Sequence, residues 1–249
     1  MHTHTWTYAP YPEVTVPVAE FGTGTPVLLL HGAAGPDSVG DLARRLADRH
    51  HVIVPTHPGW NDTPRPDWFT GIDSLVECYL DLLHEQGHKD VAVIGNSMGG
   101  WVASETAVRD RGRLISELVL INAIGPKIEG HQIRTPGSGR PPGPPRPPAD
   151  NGAPRQGPTA ASMAALKAYA GDNMADPRLR TRLARLALPT LVLWGEQDTV
   201  VTPDFGRAYA AAIPAARFEL VKDANHVPMR EQPQTVADRV RAFLDDSRN

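Results

Sequence analysis

The chain has 249 residues, of which 41% are hydrophobic and 21% charged, and its formal net charge is −3. That is enough apolar material for one large domain with a buried core, and it is not the composition of a disordered or membrane-embedded chain. A slightly acidic balance leaves no electrostatic footprint for nucleic acid, so none is expected as a partner.

The first residues, Met1-His2-Thr3-His4-Thr5-Trp6, have neither the basic region nor the apolar stretch of a secretory signal. No apolar run approaches the roughly 20 residues that cross a bilayer, so no membrane partner is expected either. Cys78 is the only cysteine, which excludes an intrachain disulfide and suits a reducing, cytoplasmic setting. Short apolar runs at 14–19, 26–30, 51–54, 91–94, 117–121, 190–194 and 217–221 read as strands. Val27-Leu28-Leu29-Leu30 and Val91-Ala92-Val93-Ile94 are continuously apolar, as strands buried on both faces should be. Between them, Ile72, Leu75, Val76, Tyr79, Leu80 and Leu83 recur at helical spacing around Cys78. Thr202-Pro203 predicts a cap and first turn for a helix carrying Phe205, Ala208, Tyr209 and Ala212, and Val236, Val240 and Phe243 mark the buried side of the last helix. Strands alternating with helices predict an α/β domain, a doubly wound and mostly parallel sheet.

One segment departs from this rhythm. Of residues 136–158, 14 of 23 are Pro or Gly, so neither helix nor strand can propagate there. The tract is expected to be mobile, with Arg155 its first tryptic site, because Arg140 and Arg146 precede proline. Two short helices are expected after it, the second capped by Asp176 and carrying Leu179, Leu183 and Leu186 on one side. Residues 125–187 therefore read as a lid-like insertion in a core made of residues 1–124 and 188–249. The insertion holds ten Lys and Arg against four acids, a solvated basic face on an acidic body.

Gly95-Asn96-Ser97-Met98-Gly99 is a G-x-S-x-G pattern between an apolar strand and a helix starting near Met98. That strand-turn-helix setting is what a nucleophile elbow requires: glycines on either side leave room for a tight turn that aims the serine hydroxyl outward. A serine needs a base, and His226 follows the last strand, which in a parallel sheet puts it at the same edge as Ser97. The imidazole needs an acceptor to fix its tautomer. Asp198, four residues past a strand, is the favoured choice, with Glu196 and Asp223 as rivals, and Asn122 lacks the charge. The chain order Ser97, Asp198, His226 differs from that of two unrelated protease architectures.

Leu28-Leu29-Leu30-His31-Gly32-Ala33, the Ser97 elbow, Trp194-Gly195-Glu196-Gln197-Asp198 and Asn225-His226 together resemble the α/β-hydrolase family, serine-hydrolase branch, over residues 14–124 and 188–247. The resemblance implies that the backbone N–H groups of Ala33 and Met98 form an oxyanion hole, while His31 and His57 are read as structural. Two departures stand out: the usual helical lid is replaced in its first half by the Pro/Gly tract, and Pro58-Gly59-Trp60-Asn61-Asp62-Thr63 replaces a glycine-and-serine turn. Trp60, Trp68, Phe69 and Trp101 with Met98 are candidates for an apolar acyl pocket, and Trp60, Trp101 and Val227 are assigned to substrate binding. The resemblance implies ester, lactone or thioester hydrolysis of a small, largely apolar substrate through an acyl-enzyme. Alternatives on the same triad are C–C hydrolysis, cofactor-free perhydrolysis or lyase chemistry, and a non-hydrolytic ligand receptor or partner protein. No cluster has metal-ligand spacing and no phosphate loop or dinucleotide fingerprint is present, so no cofactor is expected.

Overall fold

The computed structural model describes residues 1–110, 114–134, 158–214 and 216–247. In chain order it contains β1 (His2–Thr7), β2 (Thr15–Phe21), β3 (Thr25–Leu30), α1 (Gly40–Leu46), β4 (His50–Pro55), α2 (Gly71–Glu85), β5 (Val91–Asn96), α3 (Met98–Asp110) and β6 (Ile115–Ile121). There follow β7 (Gly125–Pro126), α4 (Ala160–Ala170), β8 (Ala175–Asp176), α5 (Leu179–Leu183), β9 (Thr190–Gly195), α6 (Pro203–Ala210), β10 (Ala216–Val221), α7 (Pro228–Glu231) and α8 (Pro233–Asp246). Eight strands form one sheet in the order β1-β2-β4-β3-β5-β6-β9-β10. β1 and β2 pair antiparallel to their neighbours and the remaining pairs are parallel, so the sheet is mostly parallel as expected.

The continuously apolar strands serve two layers at once. In β3, Leu28 and Leu30 join one buried cluster with α2, α3 and α6, while Val27 and Leu29 join a second with α1, α7 and α8. Alternate side chains point to opposite faces, so a strand between two helical layers must be apolar at every position. The order β4-β3-β5 reverses beside β3. In doubly wound sheets ligands bind at such a reversal, outside the carboxyl ends of the strands.

The sequence reading placed no strand at β1. Its His-Thr-His-Thr-Trp-Thr side chains are mostly exposed, and it pairs residue by residue with β2 from His2↔Glu20 to Thr7↔Thr15. An edge strand held by its backbone leaves no apolar pattern to read. At α6, Thr202 occupies the N-cap with Pro203 behind it, but its hydroxyl makes no capping hydrogen bond. Asp176 is not the cap expected for α5: it ends β8, the N-cap is Arg178, and the Asp176 carboxylate accepts the Arg178 N–H at 2.7 Å, one turn position too early to cap the helix.

Residues 136–157, and with them the expected mobility and the tryptic site at Arg155, lie outside the described residues. What is described between β6 and β9 is fastened to the sheet and its helices. β7 pairs in parallel with β8 (Gly125↔Ala175, Pro126↔Asp176). Leu179 and Leu183 of α5 are fully buried, and Leu186 nearly so. Arg182 of α5 reaches the buried carboxylate of Glu105 on α3 and also Asp176 at 3.0 Å, while Arg109 meets Glu105 at 3.5 Å. α4 sits on the loop after β4 so closely that a Cβ on Gly59 would lie 2.8 Å from the Ala165 Cβ. Gly59 also has φ +94°, a left-handed conformation that glycine adopts without steric cost.

Candidate active site

β5 ends at Asn96, α3 begins at Met98, and Ser97 between them has φ 56°. This is a strained conformation for a serine, held by the packing around it. A Cβ on Gly95 would stand 2.2 Å from the Gly99 carbonyl oxygen, and one on Gly99 would stand 2.3 Å from that of Leu30. Gly95 must therefore be glycine for α3 to turn back on the end of β5, and Gly99 for α3 to approach the end of β3.

The turn delivers the Ser97 hydroxyl to His226. Ser97 Oγ lies 2.9 Å from His226 Nε2, and His226 Nδ1 lies 2.8 Å from Asp198 Oδ2. An ionised carboxylate only accepts, so Nδ1 carries the proton and Nε2 presents its lone pair to the hydroxyl. Asp198 is 4% exposed, and its Oδ1 accepts the N–H groups of Val200 (2.8 Å) and Val201 (3.2 Å). The two rival acids are elsewhere: Glu196 and Asp223 are both exposed, and Asp223 only faces Gln197 at 3.5 Å.

Two asparagines hold this line together, and sequence reasoning missed both roles. Asn122 Nδ2 donates to Asp198 Oδ2 at 2.6 Å and to the Asn225 carbonyl at 3.2 Å, while its Oδ1 accepts the Gly195 N–H at 3.1 Å. Asn96 Nδ2 donates to the carbonyls of Ile121 (3.0 Å) and His226 (3.3 Å). The available signal was a polar residue directly ending an apolar strand, at the edge where the other site residues gather.

The His31-Gly32-Ala33 loop lies against Ser97, since a Cβ on Gly32 would be 2.8 Å from Ser97 Cβ. Among the described residues the backbone N–H groups of Ala33 and Met98 have no protein acceptor. Behind the loop lies a buried histidine pair whose ring centroids are 3.9 Å apart. His31 Nδ1 donates to the Gly32 carbonyl (2.8 Å) and its Nε2 accepts the His57 N–H (3.1 Å). His57 Nε2 donates to the His31 carbonyl (2.9 Å), which leaves Nδ1 to accept the Tyr79 hydroxyl. Every ring nitrogen is satisfied in the neutral form. Burial drives the pKa of His31 down to about 4 and that of His57 well below the ordinary 6.5.

The pocket candidates fall in different places. Met98 is fully buried at the start of α3. Trp101, 5% exposed, packs its indole against Gly125 and stands near Leu179, and Val227 is buried in the layer with α7 and α8. Trp60 is 2% exposed and donates its Nε1–H to the Ala33 carbonyl at 3.1 Å. Phe69 is buried, whereas Trp68 is half exposed with its ring 4.8 Å from that of Tyr11. Among the described residues no group of His, Cys, Asp or Glu is arranged to hold a metal ion, and no helix is long and apolar enough to cross a membrane.

Residues 27–239 match the model of the alpha/beta hydrolase family. The chain belongs to this family. This α/β-hydrolase is 28% identical over 255 residues to Lipase 3 of Moraxella sp. (strain TA144), covering 90% of this chain and 78% of that lipase. It is 25% identical over 263 residues to the 2-hydroxy-6-oxo-6-(2'-aminophenyl)hexa-2,4-dienoic acid hydrolase of Metapseudomonas resinovorans, covering 90% of this chain and 86% of that enzyme. A thermophilic esterase from Thermogutta terrifontis shares the α/β-hydrolase fold with a TM-score of 0.78 at 24% identity, over 100% of both chains.

Proposed function

We propose that this α/β-hydrolase is a serine hydrolase that cleaves an ester, lactone or thioester of a small, largely apolar substrate. The observation that carries the reading is the hydrogen-bonded line Ser97–His226–Asp198, with spacings of 2.9 and 2.8 Å. Ser97 Oγ attacks the carbonyl carbon as His226 Nε2 takes its proton, and Asp198 stabilises the imidazolium through Nδ1. The developing oxyanion accepts the free N–H groups of Ala33 and Met98, donors of a kind worth about 3 kcal/mol or more each. His226 then protonates the leaving oxygen or sulfur, and water activated by the same imidazole releases the acid from the acyl-enzyme. No step calls for a cofactor. Trp101 and Val227 are the candidates for contact with the acyl group, since both are apolar and close in sequence to Ser97 or His226.

A second reading, hydrolysis of a C–C bond on the same triad, draws support from the Metapseudomonas hydrolase named above. A cytoplasmic location belongs to the proposal as well. It is supported by the single cysteine, Cys78, which leaves no intrachain disulfide to form.

Labelling with a fluorophosphonate tests the reading, because it reports an activated serine without knowledge of the substrate. Ser97→Ala should abolish both labelling and turnover of short p-nitrophenyl esters while the protein stays folded. Activity above a few per cent in that variant would remove Ser97 from the role.

A further inference from the structure

Trp60 touches the chemistry from behind. Its indole is 2% exposed and packs edge-on against both buried histidines, with centroids 5.4 Å from His31 and 5.6 Å from His57. From that seat Nε1–H donates to the carbonyl oxygen of Ala33 at 3.1 Å. The peptide unit just before it, Gly32–Ala33, is held through the Gly32 carbonyl, which receives His31 Nδ1 at 2.8 Å and the Gly35 N–H at 3.0 Å. Ala33 is thus held at both of its peptide units, and the direction of its unbonded N–H is set by bonds on either side. An indole this deeply buried, with its one polar atom spent on backbone, is poorly placed to contact substrate.

The same indole is gripped from the insertion. Tyr169 of α4 stacks on Trp60 with centroids 6.0 Å apart and planes 18° apart, and its hydroxyl donates to the Pro58 carbonyl at 3.0 Å. Phe69 meets Tyr169 edge-on at 6.2 Å, and Gly59 lets α4 come within contact of the loop. A continuous packed path therefore runs from α4 through Tyr169 and Trp60 to Ala33.

From this path we infer that Trp60 is a positioning residue, which aims the Ala33 N–H at the reacting oxygen and makes that aim depend on the docking of α4. The inference rests on the proposed role of Ala33 as an oxyanion donor. A donor contributes most when it is fixed before the charge develops, so freeing the loop should raise the barrier without weakening ground-state binding.

The test is Trp60→Phe, which keeps an aromatic ring in the seat and removes the Nε1–H donor together with part of the indole's bulk. Turnover of a short p-nitrophenyl ester is measured with active sites counted by fluorophosphonate labelling, so misfolded protein does not enter the rate. The expected result is a kcat per labelled serine lower by about tenfold, with KM within about twofold of the wild type. Tyr169→Phe, which frees α4 from Pro58, should lower kcat by a smaller factor and add nothing in the Trp60→Phe background, because both act through one path. Unchanged kcat per labelled serine in Trp60→Phe, whatever the labelled fraction, overturns the inference, since Trp60 then only holds the fold. A raised KM at constant kcat overturns it in favour of substrate contact, and additive losses overturn the dependence on α4. A wild-type protein that neither labels nor turns over esters overturns the proposed function, and the inference with it.

Discussion

Asn122 Nδ2 stands 2.6 Å from Asp198 Oδ2, the same carboxylate oxygen that His226 Nδ1 meets at 2.8 Å. The acid is therefore held by a neutral amide on the β6 side as well as by two backbone N–H groups of its own loop. With Asn122 at φ 46°, its amide also bridges the β9 and β10 ends through Gly195 and Asn225.

Asn122→Gly removes that amide and keeps the left-handed backbone accessible. A hydrogen bond to a charged group is worth about 1.5–3 kcal/mol, so kcat should fall about tenfold or more while KM changes little. Steady-state kinetics on a short ester decide it, and a kcat within twofold of the wild type would show that Asp198 needs no help from β6.

Asp198→Asn should cut kcat by roughly 10²–10⁴, because an amide can hold the wrong histidine tautomer and cannot stabilise the imidazolium. Glu196→Gln should cost little, since Glu196 is exposed and outside the hydrogen-bonded line. The reverse ranking would relocate the acid.

The neutral histidine pair makes a prediction about acid stability. In the unfolded chain an imidazole binds a proton below about 6.5, whereas folded His31 resists until about 4 and His57 lies well below its ordinary value too. Between those limits the unfolded state holds more protons, so stability is full above about pH 6.5 and is lost as pH falls toward 4. The slope is about 1.4 kcal/mol per pH unit for each such histidine. Urea midpoints at pH 7 and pH 5 should differ in that direction, and His31→Gln should be less stable at pH 7 but flatter with pH. Equal midpoints for the wild type would mean the pair is not held neutral.

Arg182→Leu should loosen α5. It leaves the Glu105 carboxylate, 2% exposed, with Arg109 alone at 3.5 Å, and an under-satisfied buried acceptor costs about 1–3 kcal/mol. The double variant Arg182→Leu/Glu105→Leu should be destabilised less than the sum of the two single changes, because it removes both charges together. Chemical denaturation reads this directly, and strict additivity would show that the pair contributes no coupling.

The seven strands that carry apolar runs were legible because burial between two helical layers demands apolar side chains at consecutive positions, and a run such as Val27 to Leu30 records that demand locally. That Ser97, His226 and Asp198 come together was legible for a related reason. A parallel sheet sends the carboxyl ends of its strands to one edge, so Ser97, Asp198 and His226 could be brought together from their places after strands, although Ser97 and His226 are 129 residues apart. β1 was not legible, because an edge strand bound through its backbone needs no particular side chains.

The sequence by itself determined the layered α/β architecture, the elbow at Ser97 and the three side chains that meet there, since each rests on a local pattern plus the geometry of parallel strands. Only the tertiary structure decided which polar groups hold that line in place. Asn122 reaching Asp198 across 76 residues, and Trp60 spending its indole N–H on Ala33 with Tyr169 of α4 stacked behind it, depend on the paths of loops and the approach of α4. Those are set by long-range packing. A hydrogen bond between distant residues fixes a direction and a distance that no periodicity along the chain encodes.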